Sequence, residues 1–199
     1  MNGKRLLDLA LTIPGLIALS PLLPLIGLWV KLDSRGPVLF RQTRVGLHQK
    51  PFGLLKFRTM VPQAESIGLQ LTTRGDARIT RAGAFLRRFK LDELPQLFNV
   101  LRGEMSLVGP RPEVPVYVAR YPEAARELVF SIPPGITDRA SIEFRDENRL
   151  LDASADPERT YIDEILPVKL RYYTEYARGS SVTGDLGIIF RTLAAIVRR

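Results

Sequence analysis

The apolar positions of this chain fall into three patterns. From Leu6 to Val30 they run almost unbroken, with Asp8 the only charge; Lys4 and Arg5 precede the run, and Lys31 and Arg35 follow it. A continuous helix of that length would measure about 37 Å against a hydrocarbon core of about 30 Å. Pro14, Pro21 and Pro24 interrupt the run. Each removes a backbone donor and kinks a helix, and the Ser20 hydroxyl beside Pro21 can satisfy a freed carbonyl. Basic residues favour the cytoplasmic side of a membrane, and here they flank both ends. The favoured reading for residues 1–33 is therefore a re-entrant helix, broken at Ser20-Pro21, that enters and leaves by one face. A single spanning helix is the alternative. Leu28-Trp29-Val30-Lys31 lacks the small residues of a signal-peptide cleavage site, so the segment is expected to remain attached.

The second pattern, residues 34–183, consists of short elements separated by Gly and Pro. Val38–Thr43 and Pro51–Phe57 predict a β-hairpin. Arg78–Phe89 reads as a helix. Asp92–Leu101 reads as another, with Leu94, Leu97, Phe98 and Leu101 on one face, Pro95 in its first turn and Gly103 as its stop. Ser106–Pro115 reads as a loop, Pro133-Pro134-Gly135 as a turn, and Asp163–Ala177 as a helix. The third pattern is C-terminal. In 184–199, Leu186, Ile189, Phe190, Leu193, Ile196 and Val197 recur at three- and four-residue spacing, with Arg191, Arg198 and Arg199 among them. Such a helix either lies in a headgroup region or packs on the core. The expected fold class is α+β, mostly α: a membrane helix–break–helix over 1–33, and a small cytoplasmic-face domain over 34–199 with a short β-hairpin and amphipathic interfacial helices.

Composition narrows the chemistry. The 199 residues contain no cysteine and one histidine. Disulfides, thiolate metal sites and a cysteine nucleophile are excluded. His48 flanks a turn and reads as an exposed loop residue. The net charge of +8 is uneven, since residues 31–90 hold 13 Lys and Arg against 3 acids. Such a stretch suits an anionic partner: phosphate groups, nucleic acid or an acidic lipid surface. Nucleic acid is disfavoured, because Phe85 and Phe89 are the only aromatics between Thr72 and Lys90 available to stack bases.

Asp92-Glu93 is the sharpest constellation. Two adjacent carboxylates at a predicted helix N-terminus are commonly a cap and a first-turn acid. Beside Arg87, Arg88 and Lys90 they also suit phosphoryl transfer, in which one carboxylate attacks or binds Mg²⁺ while arginines hold phosphate oxygens. Lys56 and Arg58 lie in an alternating basic stretch that is also compatible with a solvated strand. Gly109-Pro110-Arg111-Pro112 is a stiff loop presenting one arginine, either a plain turn or a bidentate phosphate contact.

Four blocks then carry a resemblance: Lys56-Phe57-Arg58-Thr59-Met60, Leu91-Asp92-Glu93-Leu94-Pro95-Gln96-Leu97-Phe98-Asn99-Val100, Met105-Ser106-Leu107-Val108-Gly109-Pro110-Arg111-Pro112 and Pro134-Gly135-Ile136-Thr137. With the Ser20-Pro21 break they resemble the bacterial sugar transferase family, the monotopic polyprenol-phosphate phosphoglycosyl transferases, in a small, catalytic-domain-only form. The resemblance runs from about Lys4 to Leu193. It implies transfer of a phospho-sugar from a UDP-sugar to undecaprenyl phosphate with release of UMP, through a covalent aspartyl phosphosugar and with Mg²⁺. That would be the first membrane step in building an O-antigen, capsule, exopolysaccharide or glycoprotein glycan. By position, Asp92 is the implied nucleophile and metal ligand, and Glu93 its acid/base partner. Arg87, Arg111, Lys56 and Arg58 are the implied phosphate- and substrate-binding residues. Membrane lipids are implied partners at the cytoplasmic face of the bacterial inner membrane, and a homodimer is left open. One departure falls after Thr137, where many members have Gly and this chain has Asp138-Arg139. A membrane-tethered nucleic-acid module and a non-catalytic membrane scaffold are the competing classes; neither would release UMP from a UDP-sugar.

Overall fold

The computed structural model describes residues 3–62, 64, 76–144 and 147–197. Arg198 and Arg199, which the sequence reading singled out, lie outside these.

The apolar run forms helices α1 (Gly3–Leu19) and α2 (Leu22–Asp33), bent by 60° at Ser20-Pro21. Pro21 cannot continue the hydrogen-bond ladder, and the Ser20 hydroxyl donates to Ile17 O at 2.7 Å. Among the described residues no single helix is long and apolar enough to cross a membrane, whereas the bent pair together is. Its outer face exposes Leu11, Ile13, Ile17, Leu25, Leu28, Trp29 and Leu32, while Asp8, Thr12, Ile26 and Val30 are buried against the domain.

Strands β1 (Leu39–Val45) and β2 (Pro51–Phe57) form the expected antiparallel hairpin, with Val45 opposite Pro51, so β1 runs two residues beyond its predicted end. Helix α3 (Arg81–Arg88) starts later than expected because Thr80 caps it, its side chain accepting from Gly83 N. Gly83 lies so close to Thr59 that a Cβ there would sit 2.1 Å from Thr59 O.

The predicted helix from Asp92 splits in two. Lys90 is left-handed, and a 3₁₀ turn covers Leu91–Glu93. Pro95 has no amide to extend the ladder backwards, so α4 is Gln96–Arg102. The buried face of α4 is Gln96, Asn99 and Val100, while Phe98 and Leu101 are exposed. This rotates the helix away from its apolar stripe. The Asn99 side chain explains the choice, accepting from Leu55 N at 3.0 Å and donating to Gly53 O at 2.9 Å.

The segments read as a loop and a turn contain a short parallel pair, β3 (Ser106–Val108) with β4 (Gly135–Thr137). Gly109 and Gly135 cross there without room for a side chain, since a Cβ on Gly135 would meet Gly109 N at 2.1 Å. Helices α5 (Pro115–Val118) and α6 (Glu123–Val129) lie between these strands; α7 (Arg139–Glu143), α8 (Glu147–Asp152) and α9 (Pro157–Thr160) follow β4. A π-helical turn, Tyr161–Ile165, leads into α10 (Leu166–Gly179), and α11 (Val182–Val197) ends the described chain. Helix α11 buries Asp185 and Ile188 and exposes Leu186, Phe190 and Leu193. The architecture is a mostly helical α+β fold with one small hairpin. The largest core joins Val45, Tyr117, Tyr121, Phe130, Tyr161, Leu170 and Tyr173. A second joins Ile26 and Val30 of α2 to Phe57 and Leu86.

Candidate active site

The left-handed Lys90 turns the chain sharply, so that the 3₁₀ turn delivers Asp92 and Glu93 beside the end of β2 and the loop after β3. The two carboxylates then diverge. Glu93 is clamped. Arg111 grips it from both guanidinium arms, Nη2 to Oε1 and Nη1 to Oε2, and Lys56 Nζ lies 3.6 Å from Oε1. Burial alone would push Glu93 up, but Arg111 and then Lys56 hold it well below the usual carboxylate range. Arg111 is raised in turn, chiefly by Glu93. Asp92 is only 6% exposed, and its Oδ1 is buried without a hydrogen-bond partner. Burial and then the neighbouring Glu93 push its carboxyl up, against the pull of Lys56, Lys90 and Arg87.

The other cations surround this pair. Burial pushes the Lys56 ammonium down to about 8, with Glu93 pulling it back. Arg87 is half-buried on α3, its Nε donating to Thr59 Oγ1 at 2.8 Å; burial lowers it and Asp92 opposes. The structure thus brings together Asp92, Glu93, Lys56, Arg87 and Arg111. It does not bring Arg58 with them. That guanidinium is buried at the C-terminus of α2, donating to Ser34 O at 2.7 Å, to Val30 O at 3.2 Å and to Arg35 O. It caps a helix end, where orphan carbonyls favour a cation, and is spent there. Ser20 and Pro21 stand at the helix bend. His48 sits in the hairpin turn with φ of 54°, its backbone N donating to Phe130 O. Asp138, at the departure from the family pattern, is buried and caps α7, accepting from Ser141 N and Oγ at 2.9 and 2.6 Å. Arg139 points outward over the Tyr172 ring.

Sequence reasoning missed the support of the Arg111 loop. Arg44 donates to Pro112 O at 3.0 Å and to Gln42 Oε1 at 2.6 Å, and its Nη1 lies 3.5 Å from Glu113 Oε2. The Tyr161 hydroxyl donates to the other Glu113 oxygen. The only signal was Glu113 itself, a carboxylate directly after Gly-Pro-Arg-Pro; its partners lie too far along the chain for spacing to disclose.

Among the described residues no cluster of three or more His, Asp or Glu side chains is placed to hold a metal ion. Mg²⁺, however, commonly takes one or two carboxylates and completes its shell with water and substrate phosphates. The free buried oxygen of Asp92 is a donor of that kind. The arrangement as a whole offers one unengaged carboxylate oxygen on Asp92, and three cationic side chains, Lys56, Arg87 and Arg111, that can neutralise a polyphosphate.

The family model described as bacterial sugar transferase matches residues 1–199. The chain is 43% identical over 199 residues to an undecaprenyl-phosphate glucose phosphotransferase of Komagataeibacter xylinus, covering 97% of this chain and 35% of that protein. It is 39% identical over 198 residues to a UDP-glucose:undecaprenyl-phosphate glucose-1-phosphate transferase of Caulobacter vibrioides, covering 98% and 69%. It is 35% identical over 199 residues to a UDP-N-acetylgalactosamine-undecaprenyl-phosphate N-acetylgalactosaminephosphotransferase of Aeromonas hydrophila, covering 98% and 43%. The chain thus spans about a third to two thirds of the length of these relatives.

Proposed function

Because this chain belongs to the bacterial sugar transferase family, we propose that it transfers a phospho-sugar from a UDP-sugar to undecaprenyl phosphate, with release of UMP. The relatives' names supply the substrate classes, and they differ in the sugar. The observation that carries the residue-level reading is the contrast inside the Asp92-Glu93 pair, with one carboxylate fully engaged and the other free.

In the first step an Asp92 oxygen attacks the phosphorus that bears the sugar, and the bond from that phosphorus to UMP breaks, UMP leaving with the electron pair. The upward push on the Asp92 carboxyl makes its anion a better nucleophile. Arg87, Lys56 and Arg111 offset the repulsion between an anion and a diphosphate. In the second step an oxygen of undecaprenyl phosphate attacks the same phosphorus and releases Asp92. Glu93 holds Arg111 and Lys56 in place beforehand. When substrate phosphates draw those cations away, Glu93 becomes more basic and can take a proton from the acceptor phosphate. Asp92 would hold Mg²⁺ together with substrate phosphates, and the ion would neutralise charge on the departing nucleotide.

The reading extends to the membrane. The bent pair and the exposed apolar faces of α4 and α11 suit insertion into the cytoplasmic leaflet of the bacterial inner membrane, with 34–199 as the domain on that face. There the reaction would begin the assembly of a cell-surface glycan. The decisive experiment is exchange of labelled UMP into UDP-sugar with Mg²⁺ and no acceptor. A covalent route gives exchange and ping-pong kinetics; intersecting kinetics without exchange would reduce Asp92 to a metal ligand. Cysteines at positions 3 and 34 that both resist a periplasmic thiol reagent fit the re-entrant topology, and labelling of one alone would refute it.

A further inference from the structure

The residues around Asp92 belong to two walls, and each wall is fastened to a different arm of the bent helix pair. Arm α1 reaches the Arg111 wall. Asp8 is 4% exposed and accepts from Leu107 N at 2.9 Å and from Ser106 Oγ at 3.0 Å. One turn earlier, Lys4 Nζ donates to Val108 O at 2.8 Å, to Tyr176 Oη at 2.9 Å and to Asp185 Oδ2 at 2.6 Å. Both therefore grip β3, whose last residue is three before Arg111. Arg5 extends the hold to the C-terminus of α4, donating to Val100 O at 2.6 Å and Leu101 O at 3.0 Å.

Arm α2 reaches the opposite wall. Asp33 Oδ2 accepts from Ala82 N at 3.0 Å, in the first turn of α3, the helix that carries Arg87. Arg58 returns from the end of β2 to the carbonyls that close α2. Ile26 and Val30 pack on Phe57 and Leu86, with Leu91 and Leu94 against the same cluster, so the residues flanking Asp92-Glu93 rest on α2.

Lipid contact does not account for this placement. A carboxylate in an otherwise apolar helix is costly unless it is hydrogen-bonded, and Asp8 spends its bonds on a strand of the domain. We propose that the bent pair is the positioning frame of the active site. Asp8 of α1 sets the Arg111 loop, Asp33 of α2 sets the Arg87 and Asp92 side, and the bend at Ser20-Pro21 fixes the separation of the two. Asp8 and Asp33 are positioning residues that act through β3 and α3. The kinetic part rests on the transfer reading above; the structural part does not.

The test uses the full chain in detergent with Asp8→Asn and Asp33→Asn. Hydrogen exchange should quicken at residues 106–112 in Asp8→Asn while 82–94 stay protected, and the reverse should hold in Asp33→Asn. Loosening Arg111 should raise KM for the UDP-sugar roughly tenfold with kcat nearly held, and loosening Asp92 should lower kcat roughly tenfold with KM nearly held, each the loss of about one charge-assisted contact. Asp8→Asn should add less than about twofold on an Arg111→Lys background, because both act on one contact, whereas Asp33→Asn should multiply with it. If Asp8→Asn does not fold, Ser106→Ala removes one of the two donors to Asp8 and makes the same test at smaller size. Exchange that quickens equally in both segments, or kinetics per folded molecule that stay unchanged, would overturn the frame. If the exchange pattern holds but the wild type releases no UMP, the transfer reading fails and the frame stands.

Discussion

Two carboxylates, Glu113 and Asp92, are both buried, and the chain treats them in opposite ways. Glu113 has both oxygens engaged: Tyr161 donates to one, and Val114 N at 3.3 Å and Arg44 at 3.5 Å approach the other. Nearby, Lys169 lies over the Tyr161 ring and pairs with Glu147 at 2.5 Å. Asp92 is equally buried, yet Oδ1 has no partner among the described residues and its charged form is penalised. A saturated buried network holds a loop; an unsaturated one leaves an acceptor open. Burial alone would have ranked the two carboxylates alike. The count of partners separates them.

The contrast can be broken most severely at Asp92. Asp92→Asn should reduce both turnover and UMP exchange to background, checked by label exchange. The same change should stabilise the fold. The folded Asp92 carboxyl titrates above its unfolded value, so it binds more protons than the unfolded chain as pH passes between the two, and stability falls as pH rises through that window. Removing the charge should recover about 1–3 kcal/mol, or a few degrees in Tm at neutral pH, read by calorimetry.

Arg111→Lys comes next. An ammonium cannot grip Glu93 or a phosphate from two parallel arms. Turnover efficiency should fall roughly ten- to a hundredfold, the equivalent of about 1.5–3 kcal/mol. Equal activity at all substrate concentrations would remove Arg111 from the site. Glu113→Gln tests the other side of the comparison: it should lower stability by about 1–3 kcal/mol, because a saturated network loses a charged acceptor. Well below its melting point it should retain far more turnover than Asp92→Asn.

The smallest effect sharpens the role of Lys56. Its folded value of about 8 lies below the ordinary lysine value of 10.5. The ammonium is therefore lost as pH rises through about 8, and activity should decline there if the charge holds phosphate. Lys56→Arg should shift that limb upward by more than one pH unit, because a guanidinium stays charged. Stability should move the other way, rising between about pH 8 and 10.5, since the folded chain there binds fewer protons than the unfolded one. A falling limb unchanged in Lys56→Arg would assign it to another group.

What the sequence disclosed follows the range of the forces involved. The bend, the hairpin and the pairing of Asp92 with Glu93 depend on neighbouring residues and were legible. Helix α4 covers the second part of the helix expected over Asp92–Leu101. Leu94, Leu97, Phe98 and Leu101 do form a stripe, but periodicity does not say what a stripe faces, and here the polar Gln96 and Asn99 are buried while Phe98 and Leu101 are exposed. The pairing of β3 with β4 was hidden because three-residue strands beside Gly-Pro sequences carry no alternation to read. Lys56 and Arg58 looked equivalent, two residues apart in one basic block. Only the path of α2 past the end of β2 separates the cation that faces Glu93 from the one that closes a helix.

The contact between Lys4 and Asp185 joins residues 181 positions apart in the chain. During synthesis at 5–20 residues per second, Lys4 is made about 10–40 s before the carboxylate that will hold it exists. For that interval the apolar face of α1, Lys4 and Asp8 are without their final neighbours in the domain. A helix made before the rest of the domain is thus held by one made long after it, and the Lys4 contact forms only once α11 has arrived.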